Sequence, residues 1–243
     1  MYQQLICVIS PIGVVVVNDM RKDIGNGFVR IVDTMGNDTT VVNAARVSFG
    51  KSISEIRDQD KSLLKFLVNH GHLSPFRHCQ VQFHIKAPEF VARQWYKHCI
   101  GAEYTFKDHA WNEISGRYVE YDLVSWIPDI LRKAAENKKQ GSSLEPIDNH
   151  DEILRQFKCK IDKDFEFYKE LLRAGVCNEQ ARTVLPLTFY TEWYWTASLQ
   201  AIAHFAILRK GTDAQLEIQK YAYIISDFMH ALFPDSWAAI FAE

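Results

Sequence analysis

The 243 residues carry 47% hydrophobic and 24% charged side chains, enough apolar material for one core or at most two small domains. A net charge of -2 gives no global field to draw nucleic acid or an anionic membrane, so any anion has to be held by a local cluster. No apolar stretch is long enough to span a bilayer, and five widely spaced cysteines (Cys7, Cys79, Cys99, Cys159, Cys177) without a C-x-x-C pair suit free thiols in a reducing cytoplasm.

The N-terminal run LICVISPIGVVVV is broken by Pro11-Ile12-Gly13 and lacks a basic leader, so residues 5–9 and 12–17 read as strands and not as a targeting segment. Asn26-Gly27 signals a turn before a strand, FVRIVD. Asn37 or Asp38 can cap a short helix, TTVVNAARV, and Asp60 or Ser62 can cap DKSLLKFLVNH, which Gly71 ends. In CQVQFHIKA, apolar Cys79, Val81, Phe83 and Ile85 alternate with Gln80, Gln82, His84 and Lys86, the pattern of a half-buried strand with His84 on the solvated face. Pro88 opens a helix in which Val91 and Trp95 point inward, while Arg93, Gln94, Lys97 and His98 make a polar surface from two four-residue pairs.

VEYDLVSWI reads as a strand closed by Pro128, and the polar, Gly/Ser-interrupted residues 133–150 read as a surface insertion. Leu154, Phe157, Ile161, Phe165, Tyr168 and Leu172 predict a long amphipathic helix stopped at Gly175. Asn178 can cap EQARTVL; an apolar helix from Glu192 to Arg209, buried on most sides, and a helix capped by Thr212 or Asp213 follow. The whole is an α+β chain, mixed at the front and helical at the back, read as a single domain over 1–243.

The chemistry-bearing residues concentrate between Pro88 and Tyr118. Asn112-Glu113-x-Ser115-Gly116-Arg117 offers an acceptor, a hydroxyl and a cation at alternating positions, with Gly116 allowing close backbone approach or positive φ. Arg182 and Arg209 each sit among apolar residues, where a guanidinium needs a partner. A phosphate or a pyrimidine imide suits the bidentate fork; a buried pair with Glu192, Glu217 or Glu113 is the structural alternative for Arg182. Six of the nine histidines fall between 70 and 109, but without H-E-x-x-H or helical His pairs they do not make a metal site. No nucleophile set, GxGxxG or P-loop is present, and Cys99 reads as a plain thiol.

In combination these segments resemble the flavin-dependent thymidylate synthase family. The likeness rests on GNDTTVVNAARVSF, HGHLSPFRH, FHIKAPEFVARQW running into NEISGRY, and ARTVLPLTFYTEWYWTASLQAIAHFAILR. The chain departs from the family where Lys97-His98-Cys99 replaces Arg-His-Arg, where the spacer before Asn112 is longer, and where Arg77, Ser198, Gln200, His204 and Asp213 stand in place of the common residues. The resemblance implies a largely antiparallel sheet flanked by helices, and reductive methylation of dUMP at C5. Methylenetetrahydrofolate would give the carbon and FAD, reduced by NADPH, the hydride. It implies dUMP contacts at Gln94, Lys97, Glu113, Ser115, Gly116, Arg117, Arg182 and Arg209, with Arg209 catalytic in polarising the uracil imide. It implies FAD contacts at Ser48, Ser74, Lys97, His98, Glu113, Ser198, Gln200 and His204, a folate-side His72, and a homotetramer with flavin between subunits. The departures keep two other readings open: a pyrimidine-nucleotide C5-modifying enzyme with another acceptor, and a non-catalytic nucleotide- or flavin-binding homologue.

Overall fold

A computed structural model of the chain describes residues 20–100, 109–136 and 141–242. The strands expected at 5–9 and 12–17, and most of the long spacer before Asn112, lie outside the described residues. β1 (Arg21–Ile24) turns back into β2 (Gly27–Met35) through Gly25-Asn26, with Gly25 at φ 58 supplying the left-handed residue of the turn. Asn37 caps α1 (Asp38–Arg46): its side chain accepts the Thr40 amide, and Thr40 Oγ1 accepts the Asn37 amide in return. α2 (Asp58–Asn69) starts ahead of the expected cap, because Asp60 works from inside its first turn, accepting the Arg57 amide and pairing with Arg46 at 2.5 Å.

β3 (Gln80–Pro88) keeps the expected alternation, with Val81, Phe83 and Ile85 fully buried. It passes through Pro88 into α3 (Glu89–Ile100), whose Val91 and Trp95 are also fully buried. β4 (His109–Glu113) follows. Residues 119–127 are not a strand: they meet the chain only around Ser125, which bridges Phe189 short of the part of β7 that β4 pairs, with the Trp126 amide donating to the Thr188 carbonyl and the Tyr190 amide to the Val124 carbonyl. The polar stretch 133–150 is not an irregular loop in its described part. It holds β5 (Arg132–Ala134) and β6 (Ser142–Pro146), a separate antiparallel pair. α4 (His150–Arg173) buries Ile161, Phe165 and Tyr168 and ends before Gly175 at φ 84. α5 (Asn178–Ala181) has Cys177, not Asn178, at its cap position.

The helix expected over 192–209 is instead β7 (Tyr190–Ser198) followed by α6 (Leu199–Lys210). Its apolar load masked a period of two: Thr191, Trp193, Trp195 and Ala197 are buried, while Glu192, Tyr194 and Thr196 are not. Ser198 switches the chain from one period to the other, its hydroxyl accepting the Ala201 amide as the α6 cap. α7 (Leu216–Leu232) starts after Gln215, later than Thr212 or Asp213 suggested, and α8 (Pro234–Ile240) follows. Among the described residues no helix is long and apolar enough to cross a membrane.

The main sheet runs β1-β2-β3-β7-β4, every neighbouring pair antiparallel, so the largely helical C-terminal half also supplies an interior strand. One sheet face packs against the helices around Trp95, which meets Trp193 and Trp195 edge-on at 5.5 and 5.2 Å and stacks on Phe205 at 4.3 Å. On the other face His84 is not simply solvated: it stacks on Tyr194 and lies between Arg30 (3.0 Å) and Glu192 (2.5 Å). Arg30 can only donate, so His84 Nδ1 accepts and Nε2–H donates to Glu192.

The two ends of the described chain are joined by one carboxylate. Asp38, buried in the first turn of α1, accepts the amides of Asp235 (3.0 Å) and Ser236 (2.8 Å) and so caps α8. Asp38→Ala leaves both donors unmet and should destabilise the fold by about 2–3 kcal/mol in urea unfolding. A change below about 0.5 kcal/mol would mean that water replaces the cap.

Candidate active site

Where β4 ends, a cavity of about 450 Å³ opens, with Glu113, Ile114 and Ser115 on one wall and Arg182 and Thr183 of the 3-10 turn Arg182–Val184 on another. Glu89, the first residue of α3, also faces it, and Tyr121, Leu185, Pro186 and Phe189 line the remainder. Glu113 is held at both oxygens, by the Thr191 hydroxyl (2.6 Å) and the Trp111 indole N–H (3.1 Å). Two donors on one carboxylate fix its direction.

Gly116 is needed for close approach. A Cβ there would lie 2.1 Å from the Tyr121 ring, and the Gly116 amide donates to the Tyr121 hydroxyl at 2.9 Å. The Arg117 amide is engaged as well, by Ser115 Oγ at 3.3 Å, so neither amide of this turn is spare for an incoming anion. The Ser115 hydroxyl proton remains available. Arg117 does not line the cavity; it is exposed and pairs with Glu179 at 2.5 Å. Arg182 does line it. None of the acids considered as its partner takes that role: Glu192 binds His84, Glu217 pairs with Arg132 at 3.0 Å, and Glu113 is held by Thr191 and Trp111. Among the described residues the Arg182 guanidinium has no ion pair or hydrogen bond, which leaves its fork open to a ligand.

A second group forms where α3 meets α6, and it does not line the cavity. Arg209 Nε donates to His98 Nε2 at 2.8 Å, and Arg209 Nη2 donates to the Gln94 carbonyl at 3.1 Å. The remaining guanidinium N–H groups are free of these two contacts. Gln94 Nε2 donates to Gln215 Oε1 at 2.6 Å. Burial, then the positive Arg209, then His204 and His109 hold His98 down to about 3, so it is a neutral acceptor that orients the guanidinium. Burial also lowers the Arg209 guanidinium below its ordinary value, against the pull of Asp213. Cys99 is pushed up to about 12 by burial, in keeping with a plain thiol.

The other expected contacts are dispersed. Lys97, Ser48, His72 and Ser74 are exposed, and His204 is exposed on α6 with its ring 6.0 Å from His98. Ser198 is fully buried as the α6 cap, so it faces no open site. Gln200 has a buried Oε1 without a hydrogen-bond partner, an acceptor set in the first turn of α6. Of the other histidines, His70 and His72 lie against Phe66, His84 is in the sheet, and His109 accepts the Trp195 indole N–H at 3.0 Å. Glu89 is the residue sequence reasoning missed. Its place after Pro88 reads only as a helix start, and nothing in the sequence sets it beside Glu113.

Two outcomes follow from this geometry. Gly116→Ala must displace the Tyr121 ring and should cost about 1–3 kcal/mol of stability, with weaker nucleotide binding; unchanged melting and binding would show that the turn moves freely. His98 is protonated below about 6.5 when unfolded but only near 3 when folded, so its stabilising contribution is present above 6.5 and lost as pH falls. His98→Gln should flatten the fall in urea midpoint between about pH 6.5 and 4; an unaltered slope would assign the acid sensitivity to other groups.

A model of the family described as thymidylate synthase complementing protein matches residues 30–235. The chain is 40% identical over 219 residues to a flavin-dependent thymidylate synthase of Thermosipho africanus, covering 90% of this chain and 92% of that one. It is 41% identical over 213 residues to one from Thermus thermophilus, covering 88% and 75%. Among solved structures it is similar to a UMP/dUMP methylase PolB from Streptomyces cacaoi bound with 5-Br dUMP, at TM-score 0.77 and 29% identity over 89% of this chain and 95% of that one. A second structure of that enzyme, bound with 5-Br UMP, gives a TM-score of 0.76. The matched residues include the β4 turn, the Arg182 segment and the β7–α6 junction, and the chain belongs to the thymidylate synthase complementing family.

Proposed function

We propose that the chain is a flavin-dependent thymidylate synthase that methylates dUMP at C5, with methylenetetrahydrofolate as carbon donor and NADPH as reductant. The observation that carries this reading is the open fork of Arg182 beside Ser115 and the fixed Glu113, in a cavity large enough for part of a nucleotide. Its relatives of about 40% identity are named for the same reaction.

The protein's part is binding and electrostatics. Arg182 takes phosphate or a base-edge oxygen with its fork, the Ser115 hydroxyl donates, and the Glu113 carboxylate accepts an N–H or O–H. Because the Gly116 and Arg117 amides are already used, the phosphate falls to side chains in this chain. Arg209, aimed by neutral His98 and the Gln94 carbonyl, polarises the uracil imide and favours the charge that makes C5 nucleophilic. Arg209 and Gln94 stand apart from the cavity, so the homotetramer joins the two groups at one nucleotide, with Gln94, Lys97 and Arg209 from one protomer and the β4 turn from another.

The residues fit FAD. The Gln200 Oε1, unpartnered among the described residues, is an acceptor for a ring or amino N–H, His204 is exposed on the same helix, and Lys97, Ser48, Ser74 and His72 are exposed for phosphate, flavin and folate. Bound and reduced, FAD supplies the hydride that completes the methyl group. The four described cysteines are unpaired, which suits the cytoplasm.

UMP is the second acceptor to be tried, since the structural neighbour acts on UMP and dUMP. Anaerobic incubation with dUMP, methylenetetrahydrofolate, FAD and NADPH should give dTMP by mass spectrometry, dependent on both FAD and NADPH. A methylated product from UMP alone would move the assignment to a ribonucleotide enzyme. Arg209→Ala should lower kcat by about 10²–10³-fold while the melting temperature holds. Wild-type turnover in that variant would remove Arg209 from the reaction.

A further inference from the structure

Glu89 is a carboxyl with no assigned work. Its amide donates to the Phe189 carbonyl at 2.9 Å, but its side chain has no hydrogen bond or ion pair among the described residues, and it faces the cavity. Beside it stands Glu113, a carboxylate locked by Thr191 and Trp111. The other charged groups that face it are Arg93, one turn along its own helix, and Arg182 across the cavity. Two carboxylates and one guanidinium would leave this cavity negative, although its proposed ligand is itself an anion.

We propose that Glu89 is a substrate-contacting residue of the nucleotide site, donating a hydrogen bond to an oxygen of the bound pyrimidine nucleotide while Glu113 accepts one. The proposal rests on the nucleotide-binding reading given above. Each Glu113 oxygen already has a donor and keeps a lone pair for the ligand, whereas the Glu89 carboxyl meets no donor among the described residues, so the proton that the pair can share is better placed on Glu89. Burial first, and the Glu113 charge second, raise the Glu89 carboxyl to about 7, with Arg93 opposing. Glu89 is therefore divided between acid and anion at neutral pH. The acid form cancels one negative charge and offers an O–H; the anion form repels a phosphomonoester. Binding thus favours the acid, and above pH 7 the nucleotide brings a proton with it. A carboxyl at this position gives the site a donor that fails as pH rises, which a fixed amide or hydroxyl would not.

The test is calorimetric titration of the flavin-loaded protein with dUMP at about pH 8, in two buffers of different ionisation enthalpy. At that pH the phosphate is already a dianion and does not add to the count. Wild type should take up close to one proton per nucleotide bound, and its Kd should rise several-fold between about pH 7 and 8.5. Glu89→Gln keeps a donor without a titrating proton: it should bind with no proton uptake and a flat Kd over the same range. Glu89→Ala should bind several-fold more weakly at pH 7. A flat wild-type Kd, or equal proton uptake in wild type and Glu89→Gln, overturns the proposal, as does full-strength binding by Glu89→Ala. Wild type that binds dUMP with the expected proton uptake but forms no dTMP would defeat the assigned reaction and leave Glu89 in place. Wild type that binds no dUMP at any pH defeats both.

Discussion

Everything near the site depends on β7 being an interior strand. It is paired along one edge with β3 and along the other with β4, so its backbone groups are consumed on both sides and its side chains must divide between two faces. Trp193 and Trp195 fall on the helix side and lock against Trp95; edge-to-face indole pairs add about 0.5–1.5 kcal/mol each beyond the area they bury. That packing fixes α3 against the sheet. From there both clusters of polar residues inherit their places: Glu89 at the start of α3, Gln94 and His98 farther along it, Glu113 at the end of β4, and Arg209 at the end of the helix that β7 feeds.

The electrostatics follow from which groups are finished and which are left open. Glu113 and His98 are finished. The first is a carboxylate held by a donor at each oxygen, the second a neutral ring that accepts from a guanidinium. Each aims or biases a neighbour whose own hydrogen bonding is incomplete, Glu89 in one case and Arg209 in the other. Arg182 and Gln200 carry the same signature without an intermediary: polar atoms placed by the fold with no protein partner for them. Polar groups left without a partner among the described residues are costly unless a ligand meets them, and those at the cavity and on α6 suit a polar, partly anionic ligand.

Most of the architecture was legible in short-range patterns. The alternation of β3, the Asn37 cap and the stripe of α4 were all written in local sequence and were found where local sequence put them. What failed, failed for long-range reasons. The stretch 190–198 reads as helix because aromatic residues fill both faces of an interior strand, and only its pairing partners show the two-residue period. Residues 119–127 have strand composition but pair only briefly, around Ser125 and Phe189. Arg117 and Arg182 look alike in sequence; the fold spends the first on Glu179 and leaves the second facing a cavity. Glu89 was invisible because its chemistry comes from burial first and then from a neighbour 24 positions away (113 − 89 = 24), at the end of β4.

The strand order also governs how the chain can reach this state. β3 is made early, but the strand that completes it arrives late: His84 and Glu192, which touch across that ladder, are 108 residues apart. During synthesis β1, β2 and β3 can pair, and α1 and α2 can cover part of the face that Val81, Phe83 and Ile85 present, but nothing yet fills the outer edge of β3. Closing so long a loop is slow, and an apolar, open-edged meander is the kind of intermediate that associates with its own copies. The same non-local ladder that completes the finished sheet therefore leaves the nascent chain with an open strand edge until β7 is made.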